Sequence, residues 1–161
     1  MMRLALFIFV LSYSAQVYTF SLYSKKSKSK SFFHSKLNAA LLYDMPVSNN
    51  GARVRIILRS KKLDEKSLVT VVPPSNIGGL KSEQYLELNP EGKMPLLVLE
   101  NGLAIPESDT ISRYLINKYK SINPQFEPED IELRALSDTL SRIHDVYICP
   151  IQVNIIVKIN K

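Results

Sequence analysis

From residue 38 onward the apolar positions change their period several times, and each change marks an element. Residues 41–43 form a short apolar run stopped by Pro46, which predicts a strand. Val54, Ile57 and Leu58 then share one face of a repeat of about 3.6 residues, which predicts a helix. "SLVTVVPP" is rich in β-branched residues and closes on two prolines, so a second strand is expected over 68–72. "NIGGLKSEQYLELNPEG" starts on flexible glycines, allows a short helix over 80–88 and ends in an Asn-Pro and Gly turn. "PLLVLENGLAI" is two apolar runs joined by Glu100, Asn101 and Gly102, and Asn-Gly is a strong hairpin signal. Ile111, Tyr114, Leu115 and Tyr119 return to helical spacing. The order strand, helix, strand, helix, hairpin, helix predicts an α/β sheet with parallel pairs made by crossover helices and one antiparallel hairpin strand.

A second region follows. Ile131, Leu136, Leu140, Ile143 and Val146 lie on one long amphipathic pattern, after which "CPIQVNIIVKINK" ends the chain. The expected organisation is a leader over 1–38, an α/β domain over 39–122 and a helical segment over 127–161.

The leader changes the reading of charge. The chain carries a formal +6, but Arg3, Lys25, Lys26, Lys28, Lys30 and Lys36 all precede Asp44, the first acidic residue. Removing those six from 21 basic residues leaves 15, against 15 acidic ones. The expected folded part is therefore neutral, and no nucleic-acid partner is implied. "MMR" followed by "LALFIFVLSYSA" has the charge and short apolar core of a signal peptide, too short to span a membrane. "SLYSKKSKSKSFFHSKLNAA" is rich in Ser and Lys and has no acid, as transit peptides do. The tandem resembles the bipartite presequences that lead to complex plastids in diatoms and related algae, with Phe20 as the residue after signal cleavage. Plain secretion with a disordered basic stub is the alternative, and a cytoplasmic location a further one. No membrane association is expected once the leader is removed.

Candidate chemistry is not thiol or metal chemistry. Cys149 has no partner for a disulfide and no CxxC neighbour, while His34 and His144 lack ligands at metal spacing. A thioredoxin-type oxidoreductase is thereby disfavoured, and no metal is expected.

Three positions are notable, and each has a purely structural reading. Pro95 opens the run "LLVL", where a proline without a ladder donor belongs. Ser108 can cap the helix that follows, with Asp109 in its first turn and Glu107 before it. Ser48 in "PVSNNGARV" stands at the head of the first helix, where it suits a cap or turn.

Together "LYDMPVSNNGARVRIIL", "YLELNPEGKMPLLVLENG" and "IPESDTISRYLINKY" resemble the glutathione-binding domain of the soluble glutathione transferases, over about half of the chain. The resemblance implies a thioredoxin-like βαβαββα domain followed by the start of the family's all-α C-terminal domain. Glutathione is the implied co-substrate, and Pro95 the implied cis proline, leaving the backbone of Met94 to pair with the cysteinyl backbone of glutathione in strand fashion. Ser108, with the first helical amides, would hold the γ-glutamyl carboxylate and Glu107 the ammonium. Ser48 matches the serine of phi- and zeta-class members, whose hydroxyl stabilises the glutathione thiolate. Tyr43, at a strand end, is the second choice for that hydroxyl. Lys81 and Lys93 are the implied cations for the glycyl carboxylate.

The resemblance further implies attack on a small electrophile by conjugation, isomerisation or peroxide reduction, and a homodimer for the full-length protein. Serine in place of cysteine argues against dehydroascorbate reduction. The family's C-terminal domain needs more helices than the last residues hold, so a truncated or mis-spliced product is expected, with "VNIIVKINK" as intron read-through. Such a chain would lack most of the second-substrate wall, which leaves its catalytic competence open. A non-catalytic binding or assembly module of the same fold is the alternative.

Overall fold

The computed structural model describes residues 38–151. The signal-like and transit-like stretches up to residue 37 and the segment "VNIIVKINK" lie outside them. Two compact units divide between Leu115 and Ile116.

The first unit is built on four strands, β1 (Ala40–Tyr43), β2 (Val69–Val72), β3 (Leu96–Val98) and β4 (Ala104–Pro106), in the order β2-β1-β3-β4. Helix α1 (Asn49–Ser60) joins β1 to β2. A 3-10 turn (Pro74–Ile77) and α2 (Glu83–Leu88) precede β3, and α3 (Ser108–Lys118) follows β4. The layout is thioredoxin-like.

Its strand directions correct one expectation. Only β1 and β2 run parallel; β3 is antiparallel to β1, and β4 to β3. Between β1 and β2 the chain returns along the sheet through α1, whose 12 residues rise about 18 Å, more than the about 13 Å of a four-residue strand. Between β2 and β3 the 3-10 turn and α2 make no such return, so β3 starts at the end of the sheet where β2 finished.

The register turns that connection into a functional arrangement. Tyr43 is paired with Val72 on one side and Leu96 on the other, and Leu96 with Pro106, so these four residues form one row across the sheet. Beyond that row the chain leaves as the 44–48 loop, arrives through 93–95 and leaves again at 107–108.

One face of the sheet packs Tyr43, Tyr85, Leu96 and Val98, with Leu41, Val72, Ile77, Leu80, Leu88 and Ala104 around them. The rings of Tyr43 and Tyr85 meet edge to face, centroids 6.0 Å apart, a favoured aromatic geometry. Leu42 and Leu97 alternate to the other face. Val54, Ile57 and Leu58 of α1 and Ile111 and Leu115 of α3 supply further buried apolar side chains.

The loop after β1 is held by charge. Asp44 is 3% exposed and paired with Arg55, nearly two turns into α1. The same guanidinium donates to the carbonyls of Met45 (2.8 Å), Pro46 (3.0 Å) and Ser48 (3.2 Å). A buried carboxylate needs such a partner, and here the partner also fixes the path of the loop.

In the second unit α4 (Ile131–Ile143) is capped by Asp130, whose carboxylate accepts from the amides of Glu132 (2.9 Å) and Leu133 (2.8 Å). It runs into a π-helical turn over His144–Ile148. Leu133, Leu136 and Leu140 are exposed, and no residue of α4 is buried. No helix among the described residues is long and apolar enough to cross a membrane.

Two predictions follow from this packing. A Cβ on Gly51 would overlap the Asp44 carboxylate. Gly-to-Ala in an ordinary helix gains about 0.5–1 kcal/mol, whereas overpacking costs about 1–3 kcal/mol; with Asp44 held by Arg55, overlap wins. Gly51→Ala should lower the urea midpoint of unfolding, and a raised midpoint would contradict the packing.

The second concerns pH. Burial raises the pKa values of Tyr43 and Tyr85, Tyr85 more strongly. As pH rises, the unfolded chain loses its tyrosine protons first, near about pH 10, while the folded chain keeps them. The stability is therefore whole below about pH 10 and falls above it. The urea midpoint should drop there, and less so in Tyr85→Phe, a comparison that cancels the lysines titrating over the same range.

Candidate functional site

The end of the sheet beyond Tyr43, Leu96 and Pro106 gathers most of the residues that the sequence singles out. Ser48 caps α1: its Oγ accepts from the amide of Gly51 at 2.9 Å. Its hydroxyl proton has no acceptor among the described residues, so the cap leaves a donor to spare. Asn49 and Asn50 are exposed in the first helical turn. Positive partial charge from the amides of that turn adds to the hydroxyl, favouring an anion placed there.

Met94 precedes β3, and the Met94–Pro95 bond is cis. No described residue hydrogen-bonds to the Met94 backbone, which leaves an N–H and a C=O for a strand-like partner. The neighbouring Lys93 carbonyl is fully engaged, accepting from Tyr85 Oη and Asn89 Nδ2, both at 2.8 Å.

At the third segment the helix start differs by one residue from the expected cap. Ile111 donates to the Glu107 carbonyl at 2.9 Å, so Glu107 stands in the cap position and Ser108 opens α3. Glu107 has φ +70°, uncommon for a residue with a side chain and frequent where a site constrains the backbone. Its carboxylate is exposed, while Ser108 is buried and its hydroxyl has no partner among the described residues. One strained residue thus directs an acid outward while the next places a hydroxyl beside the first helical amides.

The two helix starts are linked. Asp109 lies 4.0 Å from Arg53 Nη1 of α1 and 2.8 Å from Arg113 Nε of its own helix. Arg53 thus ties the start of α3 to α1.

The lysines are on the rim. Lys93 Nζ pairs with Glu91 at 2.9 Å and its side chain is 74% exposed. The Glu91 hydrogen bond and charge raise its pKa, with a smaller rise from Glu107, so the Lys93 ammonium feels the acid across the site. Lys81 Nζ donates to the Glu91 carbonyl at 3.3 Å. Both cations flank the loop that leads into Met94.

Tyr43 does not join this group. Its ring lies in the core against Tyr85, and burial raises its pKa, so its hydroxyl stays protonated and enclosed. Strand alternation accounts for this: Tyr43 shares its face with Leu41, and that face is covered.

The anchoring residues carry almost no sequence signal. Arg55 looks like any basic residue on the polar side of a helix, and Tyr85 and Asn89 like parts of a short helix and its turn. Asp44 gives a faint one, since an acid closing an apolar strand calls for a cation. Among the described residues no group of three or more His, Cys, Asp or Glu could hold a metal ion.

Residues 42–125 match the family described as "Glutathione S-transferase, N-terminal domain". Over 81 residues the chain is 40% identical to glutathione S-transferase 3 of Zea mays, a match covering 50% of this chain and 34% of that protein. Over 82 residues it is 37% identical to maleylacetoacetate isomerase of Pseudomonas aeruginosa, covering 48% and 36%. The match thus spans about a third of the length of these relatives. Among solved structures, a tau-class glutathione S-transferase of mango, Mangifera indica, superposes with a TM-score of 0.57 at 27% identity, covering 72% of this chain and 49% of the other. The matched residues exceed half of the chain, and their sheet order and helices are those of the thioredoxin-like fold: the chain belongs to the glutathione S-transferase N-terminal domain family.

Proposed function

We propose that this chain binds glutathione at the end of its sheet and activates the thiol for attack on a small electrophile, by conjugation, isomerisation or peroxide reduction. One observation carries the reading: the spare donor of Ser48, the unpaired backbone of Met94 and the Glu107–Ser108 pair leave the sheet from one row of residues. In this reading Met94 pairs with the cysteinyl backbone, Ser108 holds the γ-glutamyl carboxylate and Glu107 its ammonium. Lys93 and Lys81 turn from Glu91 toward the glycyl carboxylate. The family membership supports glutathione as the ligand.

The role of Ser48 is electrostatic. A free thiol has a pKa of about 8.5, and only the thiolate attacks. Each unit by which the hydroxyl and the helix start lower that value raises the thiolate fraction at neutral pH nearly tenfold.

The second reading is a non-catalytic binding or assembly module of the same fold; a cavity of about 330 Å³ away from the proposed site is a place where such a module could take a partner or ligand. It lies between α1 and the edge strand β2, lined by Leu58, Val69 and Thr70, and none of Ser48, Met94, Glu107 or Ser108 borders it.

The proposal extends to the whole protein. In this reading residues 39–122 are the glutathione domain, residues 127–161 belong to a helical domain, and the full-length protein is a homodimer. The leader directs the protein to a plastid or into the secretory pathway.

The test is retention on immobilised glutathione with the thiolate followed by its absorbance. The chain should be retained, and Glu107→Ala with Ser108→Ala should abolish retention. Ser48→Ala should keep retention while the pKa of bound glutathione returns toward about 8.5, and conjugation falls about tenfold or more. A chain that never binds glutathione would sink the first reading, and binding with an unperturbed thiol would favour the second.

A further inference from the structure

The loop that supplies Met94 is held by two buried side chains that touch no proposed ligand atom. Tyr85 is 0% and Asn89 3% exposed, and both donate to the carbonyl of Lys93 at 2.8 Å. That carbonyl belongs to the same peptide unit as the N–H of Met94. The Lys93–Met94 peptide is trans, and in a planar trans peptide the C=O and the N–H point in opposite directions. Two donors drawing the carbonyl inward therefore turn the Met94 N–H outward.

We infer that Tyr85 and Asn89 are positioning residues that fix the plane of the Lys93–Met94 peptide, presenting the Met94 N–H to the peptide backbone of the ligand. The inference rests on the proposed glutathione site and adds to it the groups that preorganise its backbone pairing.

Four points support it. A carbonyl with two lone pairs is saturated by two donors, so rotating the peptide would break both bonds at once. The donors come from different positions, Tyr85 in α2 and Asn89 at its C-terminal cap, so the plane is held at two points. Burial raises the Tyr85 pKa, which keeps the phenol a donor throughout the neutral range. Asn89 is fixed in turn, its Oδ1 accepting from the Glu91 amide at 3.3 Å. Preorganisation of this kind removes an ordering cost from binding and leaves the sulfur chemistry at Ser48 untouched.

Tyr85→Phe keeps the ring and its contact with Tyr43 and deletes one donor; Asn89→Ala deletes the other. In the free protein, the amide resonance of Met94 should shift and its hydrogen exchange change in either variant, while amides of β1 and α1 stay as in the parent. With glutathione, titration calorimetry should show about fivefold weaker binding in each variant, the effect of one neutral hydrogen bond. The pKa of the bound thiol should remain at the parent value, which a general loss of structure would not spare. Folded variants with an unmoved Met94 amide and parental affinity would overturn the inference. A parent chain that binds no glutathione would instead remove the functional reading, and the Met94 amide would still decide the orientation by itself.

Discussion

Everything proposed for this domain depends on the register of three strands. Tyr43, Leu96 and Pro106 are paired across β1, β3 and β4, and the chain enters or leaves the sheet just past each of them. A slip of one residue in β3 would exchange Leu96 and Val98, which pack in the core, for Leu97 on the opposite face. It would also displace Met94 relative to Ser48 and Glu107. The apolar core thus sets a polar arrangement, because strand alternation ties the position of every loop to the side chains buried behind it.

Around that frame, polar groups hold the loops. Arg55 neutralises the buried Asp44 and gathers three carbonyls of the 45–48 stretch, so the start of α1 is fixed before any ligand arrives. Tyr85 and Asn89 do the corresponding work for the Lys93 carbonyl, and Asp109 bridges the beginnings of α1 and α3 through Arg53 and Arg113. Asp44, Tyr85 and Asn89 act where water is scarce, where an unpaired polar atom is costly and a paired one is rigid, whereas the Asp109 link lies at the partly exposed rim.

The structural and functional readings of the notable residues are compatible. Ser48 is a helix cap, yet a hydroxyl that accepts from Gly51 still has its proton to give. Ser108 opens a helix, and the amides it brings are those an anion would use. A cap and a binding site need the same atoms, which is why the pattern of helix starts points toward the site without distinguishing the two roles.

The sequence by itself determined the main helices and strands, their order and Ser48 as the cap of α1, while placing the cap of α3 one residue late, because periodicity, proline and Asn-Gly are local properties of the chain. Its motif blocks were also enough to indicate the family. Strand direction was less legible: a helix between two strands does not by itself say whether the chain returns along the sheet, and β3 is antiparallel to β1. Only the tertiary structure decided that Tyr43 is enclosed while Ser48 is not, and that Arg55, Tyr85 and Asn89 anchor the loops. Those outcomes depend on which face of a strand is covered and on contacts between residues far apart in the chain, Asp44 with Arg55 and Tyr43 with Tyr85, which no local pattern records.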